Sequence, residues 1–73
     1  MKMTDFEQAA QFISWCIEEY AAENKKKSKD VAVFFNQAGV LDFLEKNWEI
    51  LHSQGRNYIL GSINDFIKSQ EQR

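Results

Sequence analysis

The stretch "TDFEQAAQFISWCIEEYAAEN", Thr4 to Asn24, decides the fold class. Its apolar residues Phe6, Ala9, Ala10, Ile13, Cys16, Ile17 and Tyr20 recur three or four positions apart. A helix of about five turns gathers them into one stripe, whereas a strand would scatter them over both faces. Thr4 or Asp5 can accept a hydrogen bond from the free amides of a first turn. At the other end, Asn24 and the lysines Lys25, Lys26 and Lys27 place positive charge beside the carbonyl end of the helix, where its dipole favours it.

The same period carries on through the chain. Ser28 is placed to cap a second helix, with Asp30 in its first turn and Val31, Phe34, Phe35 and Ala38 as its stripe. Gly39 is expected to close it in the left-handed conformation. Val40, Leu41, Leu44, Trp48 and Leu51 form a third stripe that runs into "LHSQG", Leu51 to Gly55. There His52 is expected to bond a nearby carbonyl, Gln54 to satisfy loop backbone groups, and Gly55 to take a positive φ. A last helix from about Arg56 turns Ile59, Leu60, Ile63, Phe66 and Ile67 inward and frays into "KSQEQR". Gly61 weakens it by about 1 kcal/mol relative to alanine, so a short extended "NYIL" is the alternative for its first turn. The expected architecture is all-α: a small bundle of about four short helices forming a single helical domain over residues 1–73.

Composition narrows the function classes. A chain of 73 residues has room for one small core, whose thin stability margin favours good helix packing or self-association. Cys16 is the sole cysteine, so no internal disulfide can form and a reducing, cytoplasmic setting is expected. One Cys and one His, with no carboxylates at metal-ligand spacing, point to no metal and no cofactor. No apolar run approaches the roughly 18 residues of a membrane span. The opening "MKMTDFEQ" lacks the basic-then-apolar order of a signal peptide. A net charge of −2 offers no general attraction to nucleic acid.

Several apolar residues fall off their own stripes at about 100° per residue. Trp15 lies on the far side of the first helix and Val33 on that of the second. Phe43 and Ile50 share a side strip of the third helix, where contact with a second neighbour is the expected explanation. Tyr58 lies off the stripe of the fourth. Exposed aromatics that cluster often mark a partner surface, and Trp15 is the strongest instance here.

The polar motifs weigh mostly towards structure. "NKKKSK", Asn24 to Lys29, has no interleaved aromatic for base stacking and fits a solvated loop. "DVAVFFNQAGVLDFLEKN" has the outline of a helix-turn-helix around Gly39. Its second helix would offer Asp42, Glu45 and Glu49 against a single Lys46, and Phe35 stands where close helix packing needs a small residue. Cys16, on the apolar stripe, is expected to be a structural thiol. Neighbours such as His52 and Ser53 point to different sides of a helix, so with Arg56 they fit a helix stop better than a catalytic set.

Three motifs carry a family resemblance: Ile17-Glu18-Glu19-Tyr20, Gly39-Val40-Leu41-Asp42-Phe43, and Ile50 to Gly55 followed by Tyr58-Ile59. Over residues of about 12–67 the chain resembles a family of small uncharacterised bacterial proteins, a domain of unknown function whose members are often encoded beside ADP-ribosyltransferase-like proteins. Gly61-Ser62 departs from the acidic residues that family members usually carry there. The resemblance implies a fold and a gene arrangement reminiscent of toxin–antitoxin or regulatory pairs; it implies no activity.

The leading expectation is therefore a non-enzymatic protein-interaction module. Its protein partner would be a second copy, as a homodimer, or the product of a neighbouring gene. Trp15, Phe43, His52, Arg56 and Tyr58 are the candidate partner-binding residues. A DNA-binding helix-turn-helix regulator is the alternative, although nucleic acid is not the expected partner, and neither is a membrane.

Overall fold

A computed structural model describes residues 4–71; residues 1–3, which open the stretch examined for a signal peptide, and residues 72–73, the end of "KSQEQR", lie outside it. Four α-helices follow one another: α1 (Asp5–Asn24), α2 (Ser28–Gln37), α3 (Val40–Leu51) and α4 (Arg56–Glu71). No strand occurs among the described residues, and the all-α bundle expected from the periodicity is the observed fold. The "NYIL" segment is the first turn of α4, not an extended piece, and α4 stays helical through Lys68 to Glu71.

Local chemistry sets the helix ends. The Thr4 hydroxyl accepts from the Glu7 N–H at 3.1 Å, and the Thr4 N–H donates to Glu7 Oε1 at 3.1 Å. This reciprocal pair satisfies two amides of the α1 start, and the bonds from Thr4 hold the Glu7 carboxyl below its ordinary pKa. At the far end Lys25 takes the left-handed conformation, φ 54°. Its N–H reaches the Ala22 carbonyl at 3.4 Å while that of Lys26 donates to Ala21 at 2.9 Å, which closes the helix without a glycine. Ser28 is not the cap of α2. Lys27 holds that position with extended backbone, its carbonyl accepting from the Asp30 and Val31 amides at 3.1 Å.

The two turn glycines behave differently. Gly39, at φ +79°, is left-handed as expected, and its carbonyl already accepts from Phe43 at 3.1 Å, so a single residue ends α2 and begins α3. Gly55 does not take a positive φ: among the described residues Gly39 is the glycine that does. Instead Gly55 starts α4, its carbonyl accepting from the Ile59 N–H at 3.0 Å, a site where glycine is tolerated nearly as well as a polar cap.

α1 and α3 pack on each other, and each contacts both α2 and α4, while α2 and α4 do not meet. The core is thus a spine of two helices covered from either side. Phe35, Leu44, Ile63, Val31, Val40 and Cys16 are its fully buried side chains. Tyr20 of α1 meets Phe35 edge-on at 5.0 Å, joining the spine to α2. Phe43 stacks on Phe66 at 4.5 Å and 22°, joining it to α4.

Gly61 lies inside α4 with no heavy atom within 4 Å of where a Cβ would stand. Gly61→Ala is therefore expected to stabilise the fold by about 1 kcal/mol, raising Tm by roughly 4–8 °C in a domain of this size. Thermal unfolding followed by circular dichroism checks it; an unchanged or lower Tm would mean that the helix there needs glycine.

Candidate functional site

Helix lengths explain where the surface is left open. α1 has 20 residues and α3 has 12, lengths of about 30 and 18 Å at 1.5 Å per residue. The amino-terminal part of the α1 stripe outruns its cover. Phe6, expected in the core, is 78% exposed, and Ala10 is exposed beside it. Ala9 and Cys16 of the same stripe are buried.

The result is an apolar groove of about 740 Å³ along the α1–α3 junction. Phe6, Ala10, Ile13 and Ile17 line it from α1, and Leu41 and Trp48 from α3. Asp5, Asp42 and Glu45 also line it. Asp42 is 3.0 Å from Lys46, an exposed pair one helical turn apart of the kind that contributes little in water. Across α1 and α3 together, eight carboxylates stand against Lys46 as the one basic residue.

A second, smaller groove of about 340 Å³ adjoins the first, and Trp48 lines both. Its other walls include Phe12, Trp15 and His52. Trp15 is 38% exposed and stacks on Phe12 with ring centroids 6.3 Å apart and planes 19° from parallel. His52 Nδ1 lies 2.8 Å from the Trp48 carbonyl oxygen, the bond expected at this helix end, and its ring is 5.0 Å from the Trp48 ring.

Of the candidate residues, then, Trp15 and His52 meet in one groove. Phe43 is elsewhere, stacked on Phe66 inside the bundle, which is the second-neighbour contact expected for it; Ile50, beside it on the sequence strip, is 68% exposed. Arg56 is engaged within the chain. Its Nε donates to Glu19 Oε1 at 2.6 Å and its Nη1 lies 3.1 Å from Glu23 Oε1, tying the start of α4 to α1. Those hydrogen bonds, Glu19 first, raise its pKa further above the ordinary guanidinium value. Tyr58 is 59% exposed and lines neither groove. Sequence reasoning missed Phe6 and Ala10 as surface and half-buried Trp48 as a groove wall, because a stripe pattern marks an apolar face without saying how much of it a neighbour covers.

The "LHSQG" corner brings no reacting pair together. The Ser53 hydroxyl donates to the Ile50 carbonyl at 2.9 Å while His52 faces Trp48. Gln54 contributes its backbone N–H, to Leu51 at 2.9 Å; its amide forms no hydrogen bond among the described residues. Cys16 is fully buried, and burial pushes its thiol up to about 12. Among the described residues no group of three His, Cys, Asp or Glu side chains could hold a metal ion. No described helix is long and apolar enough to cross a membrane.

Compared with known families, residues 11–70 match one described as "Protein of unknown function (DUF3791)". No curated protein and no solved structure matches the chain.

Proposed function

The chain belongs to the DUF3791 family of proteins of unknown function, and we propose that it is a non-enzymatic protein-interaction module whose partner docks on the α1–α3 surface. One observation carries this reading: two adjoining grooves, joined at Trp48, leave the apolar side chains of Phe6 and Trp15 exposed on the first helix, with half-buried Phe12 beneath Trp15. Tryptophan and other large aromatics dominate binding energy where they fill a partner's pocket. His52 and Trp15 are the candidate residues that lie on this surface. In this reading Phe43 and Arg56 hold the bundle together, and Tyr58 contributes only if the partner reaches α4.

The proposed partner is the product of a neighbouring gene resembling ADP-ribosyltransferases, with this module as its antitoxin-like or regulatory companion. The prevalence of carboxylates on α1 and α3 favours a protein over nucleic acid, whose phosphates those groups would repel. Co-expression with the neighbouring protein and size-exclusion chromatography at micromolar concentration test the proposal. Co-elution is expected, and Trp15→Ala should weaken the complex by at least about 30-fold, the effect of losing a 2 kcal/mol anchor. Separate migration would reject the partner, and a salt-dependent shift of the chain's own promoter DNA would favour the regulator alternative instead.

A further inference from the structure

We propose that the larger groove is a receptor for one cationic amphipathic helix of a partner, seated lengthwise between α1 and α3 with its apolar stripe inward and its lysines or arginines on the acidic rim. This rests on the interaction reading above and names the chemistry of the occupant.

Shape comes first. The groove follows α1 from Asp5 to Ile17, about 18 Å along the helix axis. That length matches about 12–15 residues of a helix, enough for anchors at i, i+4, i+7 and i+11. Its lining mixes the small Ala9, Ala10 and Ser14 with the bulkier Phe6, Leu41 and Trp48. Small residues in the lining let another helix approach closely, and the larger side chains would pack against it.

Charge selects among occupants. Asp5 and Glu45 are exposed and make no ion pair among the described residues, while Asp42 shares its charge with Lys46 at 3.0 Å. No basic residue lies anywhere on α1. The lysines Lys25, Lys26, Lys27 and Lys29 follow its far end, about 30 Å along from Asp5. A second copy paired symmetrically through this face would bring the carboxylates Asp5, Asp42 and Glu45 up to the same acidic rim of its twin, a repulsive arrangement. An anionic lipid surface would be repelled in the same way. A basic amphipathic helix satisfies both features at once: it covers the apolar strip and neutralises the rim.

The test uses the whole chain and two synthetic peptides of about 15 residues. Both carry leucine at i, i+4, i+7 and i+11 and alanine elsewhere; one has lysine on either side of the stripe and the other glutamate. Binding is read by titration calorimetry and by the fluorescence of Trp48 in a Trp15→Phe background. The lysine peptide is expected to bind at least about tenfold more tightly than the glutamate peptide, a preference that shrinks as salt is raised. Asp5→Asn combined with Glu45→Gln should abolish that preference. Phe6→Gln combined with Ala10→Gln should abolish binding of the lysine peptide, with circular dichroism confirming an intact helical fold; all four side chains are exposed, so their loss leaves the core in place.

Equal affinities for the two peptides, or no binding of either, would overturn the proposal. So would a dimer of the chain alone in light scattering that Phe6→Gln/Ala10→Gln dissociates, because the occupant would then be a second copy. If the peptide fails while the neighbouring gene product still co-elutes, only the occupant's chemistry is wrong. If the peptide binds and co-elution fails, the named partner is wrong and the groove's preference stands.

Discussion

Phe35→Ala is expected to leave much of the chain unfolded at room temperature. Phe35 has no exposed surface, meets Tyr20 edge-on at 5.0 Å and belongs to the central cluster to which all four helices contribute. Truncating a buried phenylalanine costs about 3–5 kcal/mol, part of it lost transfer energy and part the cavity left behind. A domain of this length has roughly 4–11 kcal/mol of total stability, at 0.05–0.15 kcal/mol per residue. The one substitution thus removes from about a quarter of it to all of it. Urea unfolding followed at 222 nm should show a midpoint close to zero denaturant. Phe34→Ala on the neighbouring position, where the side chain is 39% exposed, should cost far less, and comparable losses would mean that the α2 stripe is assigned to the wrong face.

The second large effect concerns the buried thiol. Cys16 has no exposed surface, and burial alone lifts its pKa from 9.0 to about 12. At pH 8 that lowers the thiolate fraction roughly a thousandfold, before any obstruction of the reagent. Alkylation of the native chain by iodoacetamide should therefore run at least about a thousandfold slower than in urea. The same shift makes stability depend on pH. The folded pKa is raised, so the contribution of the neutral thiol is fully present below about pH 9 and is lost as pH climbs towards about 12. Stability should fall by up to about 1.4 kcal/mol per pH unit across that window. Tyr20, its pKa raised from 10.0 by burial, adds a loss of the same sign. Cys16→Ala should flatten the alkaline slope; an unchanged slope would place its cause elsewhere. Rapid native alkylation at pH 8 would show that the thiol is reachable.

Much of the fold was legible because a helical stripe needs only the spacing of apolar residues. The four helices, the left-handed Gly39 and the His52 bond to a backbone carbonyl all follow from local pattern. Other local readings failed for equally local reasons. Lys25 closes α1 in a left-handed conformation that glycine usually takes, so no glycine marked it. Gly55 resembles a helix stop in sequence, yet its role is to begin α4. Ser28 lies one position past the cap, which extended backbone at Lys27 supplies without any side chain.

The candidate site was legible only in part. Trp15 stood out because it lies off its stripe, and it does line a groove. Phe6 and Ala10 lie on the stripe, which reads as core, and they are exposed because α3 is shorter than α1. Arg56 looked free at a helix start, but Glu19 and Glu23, 37 and 33 positions earlier, stand opposite it on α1.

By itself, then, the sequence determined which residues form helices, which face of each is apolar, and the presence of one thiol and one imidazole with no catalytic company nearby in the chain. Those follow from interactions between residues three or four apart, which any helix imposes. Only the tertiary structure decided how far each apolar face is covered, that the open length lies along α1 and α3, and that carboxylates rim it. Coverage depends on the relative lengths and placement of helices far apart in sequence, and local periodicity carries no information about that.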